Sequence, residues 1–337
     1  MPQFIKQNWR YAVMLILGLL SVISMLLGLM FGAVKIPATE ILSILWGNRE
    51  HAAYDIIWNI RLPRVLVAAL VGIGLALSGA ILQGVLRNPM ADPHVIGVSS
   101  GAGVVGMAMI LALPQYGEML VPAAFAGAVA TALLIYALAW KNGMVPVRLI
   151  LAGVAVSAFL NSAISALLTF YSDRVEGALS FMVGSLSGKS WPHVSMLWPY
   201  ILIGTALALL GSRRINVILL GDGIAKSLGM RVEMVRLLLI AIASILAAAS
   251  VSVVGLLGFV GLIVPHISRL IVGKDYRFLL PASVLLGVIV LETSDLIARL
   301  AFAPVELPVG VVMGAWSSVL SLSAAFREEY VVYTRKP

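Results

Sequence analysis

Apolar residues run along this chain in long blocks separated by short polar stretches, not at the period of half-buried elements. A helix needs ~20 apolar residues to cross a ~30 Å hydrocarbon layer. On that scale the sequence predicts ten spans, at 11–33, 63–86, 94–113, 119–140, 147–170, 194–212, 235–254, 257–272, 279–301 and 308–326. The eighth is short and opens with glycines. The expectation is an all-α integral membrane protein, one transmembrane domain over residues 1–337 with no soluble domain between spans. The first span is expected to be retained, being too long for a cleaved signal and followed by no soluble protein.

Composition agrees. Hydrophobic residues make up 61% of the 337 and charged residues 11%, with a mean hydropathy of +1.04. Soluble domains carry roughly 45–50% apolar and about 25% charged residues, so a soluble or disordered chain is excluded. There are no cysteines, hence no disulfide or thiolate chemistry. The four histidines, His51, His94, His193 and His266, are scattered without metal-ligand spacing. The net charge of +8 reports basic cytoplasmic loops rather than nucleic-acid binding. With the N-terminus inside, 16 of the 23 basic residues fall on the inner side and 7 on the outer, which favours both termini inside.

Two strings mimic nucleotide-binding loops. Gly184-Ser-Leu-Ser-Gly188-Lys189-Ser190 has three residues between its glycines where a phosphate-binding loop needs four, and no strand precedes it. Gly101-Ala-Gly103-Val-Val-Gly106 lies inside an apolar span, where small residues at this spacing let helices pack closely. No nucleophile–base or metalloprotease pattern occurs. Asp295 and Arg299 are four apart on one predicted helix and form a candidate buried pair. Glu292 has no partner within that helix, and an intramembrane carboxyl is a functional candidate. The inner loop 213–234 carries Leu219, Leu220, Ile224, Leu228 and Val232 at helical spacing, with Asp222, Lys226 and Arg231 between them. The pattern predicts a short amphipathic cytoplasmic helix or helix pair, with a helix lying on the lipid surface as the alternative.

An ordered set of strings then builds a resemblance. They are Arg61-Leu-Pro-Arg64, Leu77-Ser-Gly79-Ala, Gln83-Gly84-Val-Leu-Arg87-Asn88-Pro89-Met90-Ala91-Asp92-Pro93, Gly97-Val-Ser-Ser-Gly101 and Leu151-Ala-Gly153. Towards the other end stand Gly258-Phe-Val-Gly261-Leu-Ile-Val-Pro265-His266-Ile-Ser-Arg269 and Glu306-Leu-Pro-Val-Gly310. Together they resemble the FecCD-type permeases, ten-span subunits of ABC importers for iron–siderophore complexes, haem and cobalamin. The similarity runs from about residue 10 to about 314.

The resemblance implies a type II importer in the bacterial cytoplasmic membrane. A second permease subunit, identical or not, pairs with the chain. Two cytoplasmic ATPase subunits carry the ATP and Mg²⁺, and an extracytoplasmic binding protein delivers substrate. The chain itself then binds no cofactor, metal or nucleic acid and catalyses nothing. Leu220, Gly221, Ala225, Leu228 and Gly229 match the family's coupling helices, within about 216–232. Arg61, Arg64 and Arg299 match positions that dock the binding protein's glutamates. Asn88 and Met90, with the Pro146-Val147 turn, resemble the inner gate. Asn161, Ser162 and Ser165 put polar groups in a span that lines the pathway in relatives, although such groups also serve as interhelical glue. Ferric siderophore is the leading substrate, with haem, cobalamin and molybdate open. An ion-coupled secondary transporter is the distant alternative. The chain departs from the family at Glu292, where relatives are apolar, and at Trp316, where proline is common. It departs again in the serines 317, 318, 321 and 323 and in the tail from Ala324.

Overall fold

A computed structural model describes residues 3–94, 97–141, 146–316 and 318, with side chains omitted for 3–7 and Pro146. The tail from Ala324, and residues 317 and 319–326 of the last span expected from the sequence, lie outside these residues. The elements described are helical. They are α1 (Gln3–Met30), α2 (Ala38–Leu45), α3 (Leu62–Val85), α4 (Val98–Leu111), α5 (Leu120–Ala139) and α6 (Pro146–Phe170). There follow α7 (Val175–Val183), α8 (Trp191–Leu219), α9 (Asp222–Ser227), α10 (Val232–Val254), α11 (Val260–Val272) and α12 (Tyr276–Leu300). Residues 309–316 are also helical.

Seven of these helices are long and apolar enough to cross a membrane. The expected spans 94–113 and 257–272 are helical over only 14 and 13 residues. At 1.5 Å per residue they reach ~20 Å, short of a ~30 Å hydrocarbon core. The reason is local. Residues 91–93 turn inward and are buried, and α4 starts only after Gly97 at φ +70°. α10 ends at Gly255, φ +86°, and α11 starts after Phe259, itself left-handed at φ +70°. His94 Nε2 lies 3.1 Å from the Leu257 carbonyl oxygen, so the two irregular entries support one another. The apolar length counted in the sequence is spent partly on non-helical backbone, tolerated at membrane depth where protein surrounds it.

α3 is the central helix, buried along most of its length. Small residues bring it against its neighbours. A Cβ on Gly72 would stand 2.3 Å from the Gly287 carbonyl oxygen of α12, and one on Gly79 1.9 Å from that of Gly261 in α11. Such backbone approach is how helices associate where lipid supplies no hydrophobic drive. The family-like string Leu77-Ser-Gly79-Ala thus has a packing reason. Ser78 adds a hydrogen bond from its Oγ to the Ala243 carbonyl of α10 at 2.7 Å.

The first polar mimic is a helix start. Ser190 is the N-cap of α8 and exchanges bonds with His193 three residues on, a capping box with histidine in the acidic position. The second is packing: a Cβ on Gly101 would lie 2.2 Å from Thr131 Oγ1. At the Arg64 end, Tyr54 stacks on Trp58 at 6.0 Å, and Trp191 donates from Nε1 to the Trp58 carbonyl at 2.9 Å. An aromatic cluster of this kind suits a membrane–water boundary. At the opposite end Asp275 caps α12, accepting from Arg277 N at 3.1 Å and from Asn216 Nδ2 at 2.7 Å, with Arg10 at 4.0 Å. It thereby ties α1, α8 and α12.

Two predictions arise. Gly79→Leu lowers stability in detergent by more than ~3 kcal/mol through overpacking, whereas Gly18→Leu, which meets open space, is near neutral; equal melting shifts would contradict the packing account. The hydrogen bonds to Asp275, that from Arg277 foremost, hold its carboxyl down at about 2. An unfolded aspartate titrates near ~3.9, so the stabilisation is complete above that value and is lost as pH falls towards 2. Asp275→Ala therefore melts below wild type at pH 7, by about 1 kcal/mol for a lost cap, and the two converge near pH 2. A constant gap across that window would contradict it.

Candidate functional site

Charged residues gather at the two ends of the bundle. α3 has 24 residues, a rise of ~36 Å, with Arg61 and Arg64 at one end and Arg87 at the other. The sequence had grouped these residues on opposite sides by charge alone. The fold independently sets them a membrane thickness apart.

At the Arg87 end, α8 runs on past its expected boundary to Leu219, and a tight turn at Gly221, φ +108°, starts α9. Gly229, φ +78°, closes the segment. The sequence anticipated a short amphipathic helix or helix pair; the structure has the final turns of α8 and the six-residue α9. Leu220, Ile224 and Leu228 are 57%, 52% and 63% exposed, while Ala225 is fully buried and anchors the helix. The polar face is ion-paired inward. Asp222 accepts from Arg87 of the segment following α3, and from Arg236 Nη2 of α10 at 2.9 Å. Arg236 is completely buried, with Glu233 at 3.7 Å as a further acid. The apolar stripe is thus pointed outward by a charge network on its other side, and Asp222 also stands in the first turn of α9, where a negative charge complements the helix dipole. The pairing of Asp222 with Arg236 across 14 residues was not read from the sequence, although both were visible there.

The expected gate residues sit beside this end. Asn88 Oδ1 accepts from Met90 N at 2.9 Å, an Asx turn that leaves the Met90 side chain exposed. Pro146 opens α6, its side chain outside the described atoms, and Val147 next to it is exposed. Deeper in, Gln83 donates to the Gly261 carbonyl at 3.1 Å and accepts from Arg269 at 2.7 Å.

At the Arg64 end all three expected docking arginines are present together, and all three turn inward. Arg61 donates to the carbonyls of Leu29 at 2.6 Å, Met30 at 3.2 Å and Val34, closing the end of α1. Arg64 grips Asp295 from Nε and Nη2 at 2.9–3.2 Å and meets Glu306 from Nη1 at 2.8 Å. Arg299 donates to the Gly28 and Phe31 carbonyls at 3.2 Å, with its Nε 3.0 Å from Asp295. The expected Asp295–Arg299 pair is real, but Asp295 is shared with Arg64, 231 positions away. Glu292 is fully buried one turn below, against Gly28, and neither carboxyl oxygen has a hydrogen-bond partner among the described residues. Sequence reasoning missed Glu306 as a member of this cluster; it had served only as part of a family string.

Asn161, Ser162 and Ser165 are exposed on α6, a helix mostly uncovered by the rest of the chain. Each serine hydroxyl turns back to a carbonyl four residues earlier, at 3.0 and 3.1 Å. Trp316 is exposed as well. Cavities of about 390 and 340 Å³ open between α5, α8 and α10, share Phe125 and Tyr200, and carry no carboxylate or histidine. No group of three metal-ligating side chains occurs among the described residues.

Replacing Asp222 by alanine removes charge-assisted bonds worth about 1.5–3 kcal/mol. Amide exchange across 222–228 is then at least tenfold faster than in wild type, with the spans unchanged; unaltered protection would show that α9 is held by other contacts.

Residues 19–319 match the FecCD transport family. The chain is 38% identical over 307 residues to the Fe(3+)-citrate import system permease protein YfmE of Bacillus subtilis, covering 91% of this chain and 92% of that one. It is 46% identical over 264 residues to the cobalamin import system permease protein BtuC of Halobacterium salinarum, covering 78% and 71%. A solved metal-chelate type ABC transporter in an inward-facing conformation superposes with a TM-score of 0.84 at 29% identity, over 94% of this chain and 99% of that one. The ordered strings around Arg61, Asn88, Pro265 and Glu306, the helical architecture and these relatives converge: the chain is an integral membrane permease of the FecCD transport family.

Proposed function

We propose that this chain is the membrane subunit of an ATP-driven importer that moves a metal chelate, a ferric siderophore foremost, into a bacterial cytoplasm across the inner membrane. The observation that carries the reading is α9. Three large apolar side chains stand exposed outside the spanning helices while ion pairs hold the opposite face to α3 and α10. A lipid-lying helix needs no such anchoring. A helix that transmits force to a partner does, because a loosely held stripe would yield before the spans moved.

In this reading Leu220 and Leu228, with turns at Gly221 and Gly229 and the buried Ala225, seat the stripe in a cytoplasmic ATPase, one on each of two permease subunits. ATP and Mg²⁺ belong to that ATPase, and the permease catalyses nothing. Arg61, Arg64 and Arg299 mark the end that receives an extracytoplasmic binding protein. Rim charges there steer encounter and fix register more than they add affinity. Asn88 and Met90 with Pro146 and Val147 form the inner gate. The exposed polar side of α6, with Asn161 and Ser165, faces the pathway between the two subunits, and Glu292 tunes it from behind. Ten membrane passes follow when the shorter α4 and α11 and the helix from 309 are counted as passes. Haem, cobalamin and molybdate are the alternative cargoes, and the Fe(3+)-citrate and cobalamin relatives keep the chelate class broad.

The test is uptake of ⁵⁵Fe-labelled siderophore by vesicles holding the chain with its co-purified ATPase and binding protein. Uptake requires ATP. Leu220→Asp with Leu228→Asp cuts it at least tenfold, the scale of losing a central interface residue, without lowering the melting temperature. Uptake driven by an ion gradient in the absence of ATP would overturn the proposal in favour of a secondary transporter.

A further inference from the structure

The docking end contains a carboxylate that the proposed encounter has to contend with. Arg64 offers two edges. Its Nε and Nη2 edge is committed to Asp295, which is almost completely buried. Its remaining nitrogen, Nη1, points to the rim and is closed by Glu306 Oε2 at 2.8 Å. The two acids differ sharply in setting. The Asp295 side chain is 1% exposed and that of Glu306 42%. Glu306 follows residues 301–305, all exposed, and the turn is held by Val305 N on the Phe302 carbonyl and Leu307 N on the Ala298 carbonyl. A buried acid sets the position of Arg64, and a solvent-reached acid on an exposed turn covers the edge that faces out.

From this we infer that Glu306 is a stand-in for the docking partner's carboxylate: it occupies the outward edge of Arg64 in the free permease and is displaced when a partner acid arrives. The inference rests on the docking role proposed for Arg64. The exchange is near balanced by construction. One carboxylate replaces another on a guanidinium whose second edge never lets go of Asp295, so Arg64 is not left unpaired at any point. An outward cation without a stand-in would instead attract any anion or lipid phosphate at the membrane rim. Glu306 thus lowers affinity in exchange for selectivity, because a partner has to supply a carboxylate in register with Arg64 to compete. With Glu306 reached by solvent the pair is only part-buried, so salt screens it and water can compete for its carboxylate, which is what an exchangeable cover requires.

A purely positioning Glu306 makes the opposite prediction. If it held Arg64 in shape for the partner, neutralising it would weaken docking. If it competes, neutralising it strengthens docking.

The experiment uses the assembled transporter in nanodiscs and the binding protein purified from the same complex, with Kd measured at 20 and 300 mM NaCl. Glu306→Gln binds at least about two- to five-fold tighter than wild type at low salt, taking the solvent-exposed pair as the lower bound, and the gain shrinks at high salt. Arg64→Ala binds more weakly, and Glu306→Gln added to Arg64→Ala gives no gain, since the two act through one contact. Melting curves of each variant confirm an intact bundle; Glu306→Ala serves as the second neutral substitution. Unchanged or weaker binding by both Glu306 variants, with Arg64→Ala still impaired, overturns the stand-in while leaving docking through Arg64 in place. Binding that is indifferent to Arg64→Ala overturns the docking role and the stand-in together.

Discussion

Everything else in this structure hangs on the backbone-to-backbone approach of α3 to α11 and α12. Gly72 against Gly287 and Gly79 against Gly261 leave no room for a side chain. That contact fixes the axial register of three helices at once. With the register set, Arg64 at the start of α3 falls opposite Asp295 near the end of α12, and Gly84 at its finish falls against Tyr276. A shift by one turn, about 5.4 Å, would separate both. The charged clusters at the ends consequently report the same packing that the glycines create in the middle.

The two clusters solve one problem in different ways. Buried ions cost several kcal/mol each unless geometry and hydrogen bonds repay them. At the α9 end a fully buried Arg236 is answered by Asp222, which reaches it from the rim and is also held by Arg87. At the other end Asp295 serves two arginines, carbonyls at the end of α1 accept from Arg61 and Arg299, and Glu306 closes the rim. Glu292 stands apart, buried without a hydrogen-bond partner among the described residues. The α9 end presents Leu220, Ile224 and Leu228 outward, which suits a face that grips a partner by packing, and the Arg64 end gathers three arginines and their acids, which suits recognition by charge.

Much of this was legible in sequence. Apolar blocks of spanning length located the long helices, since lipid makes length and apolarity a direct constraint. Lys and Arg bias assigned Arg87 and Arg61 to opposite ends, and the fold separates them. Short-range patterns placed α9 and the Asp295–Arg299 pair. Less legible was anything depending on contacts far along the chain. Arg64 with Asp295 and Glu306 needs the α3–α12 register, which no local pattern carries. The helices α4 and α11 are shorter than the apolar blocks 94–113 and 257–272 that contain them, because hydropathy counts apolar residues without asking whether their backbone is helical; only the second block, opening with glycines, looked short in sequence. Phe259 gave no warning, because a left-handed phenylalanine is chosen by its surroundings and not by its own preference. The capping box at Ser190 was visible as a serine three residues before His193, but a histidine in place of the usual acid or amide hid it.

The central claim is that α3 joins a partner-gripping end to a charge-recognising end on opposite faces of one membrane. The chain contains no cysteine, so single cysteines report their own side without background. Val305→Cys and Leu228→Cys are labelled with a membrane-impermeant maleimide in intact spheroplasts and in inside-out vesicles. The account predicts labelling of Val305→Cys only in spheroplasts and of Leu228→Cys only in inside-out vesicles. Labelling of both from the same side would contradict it.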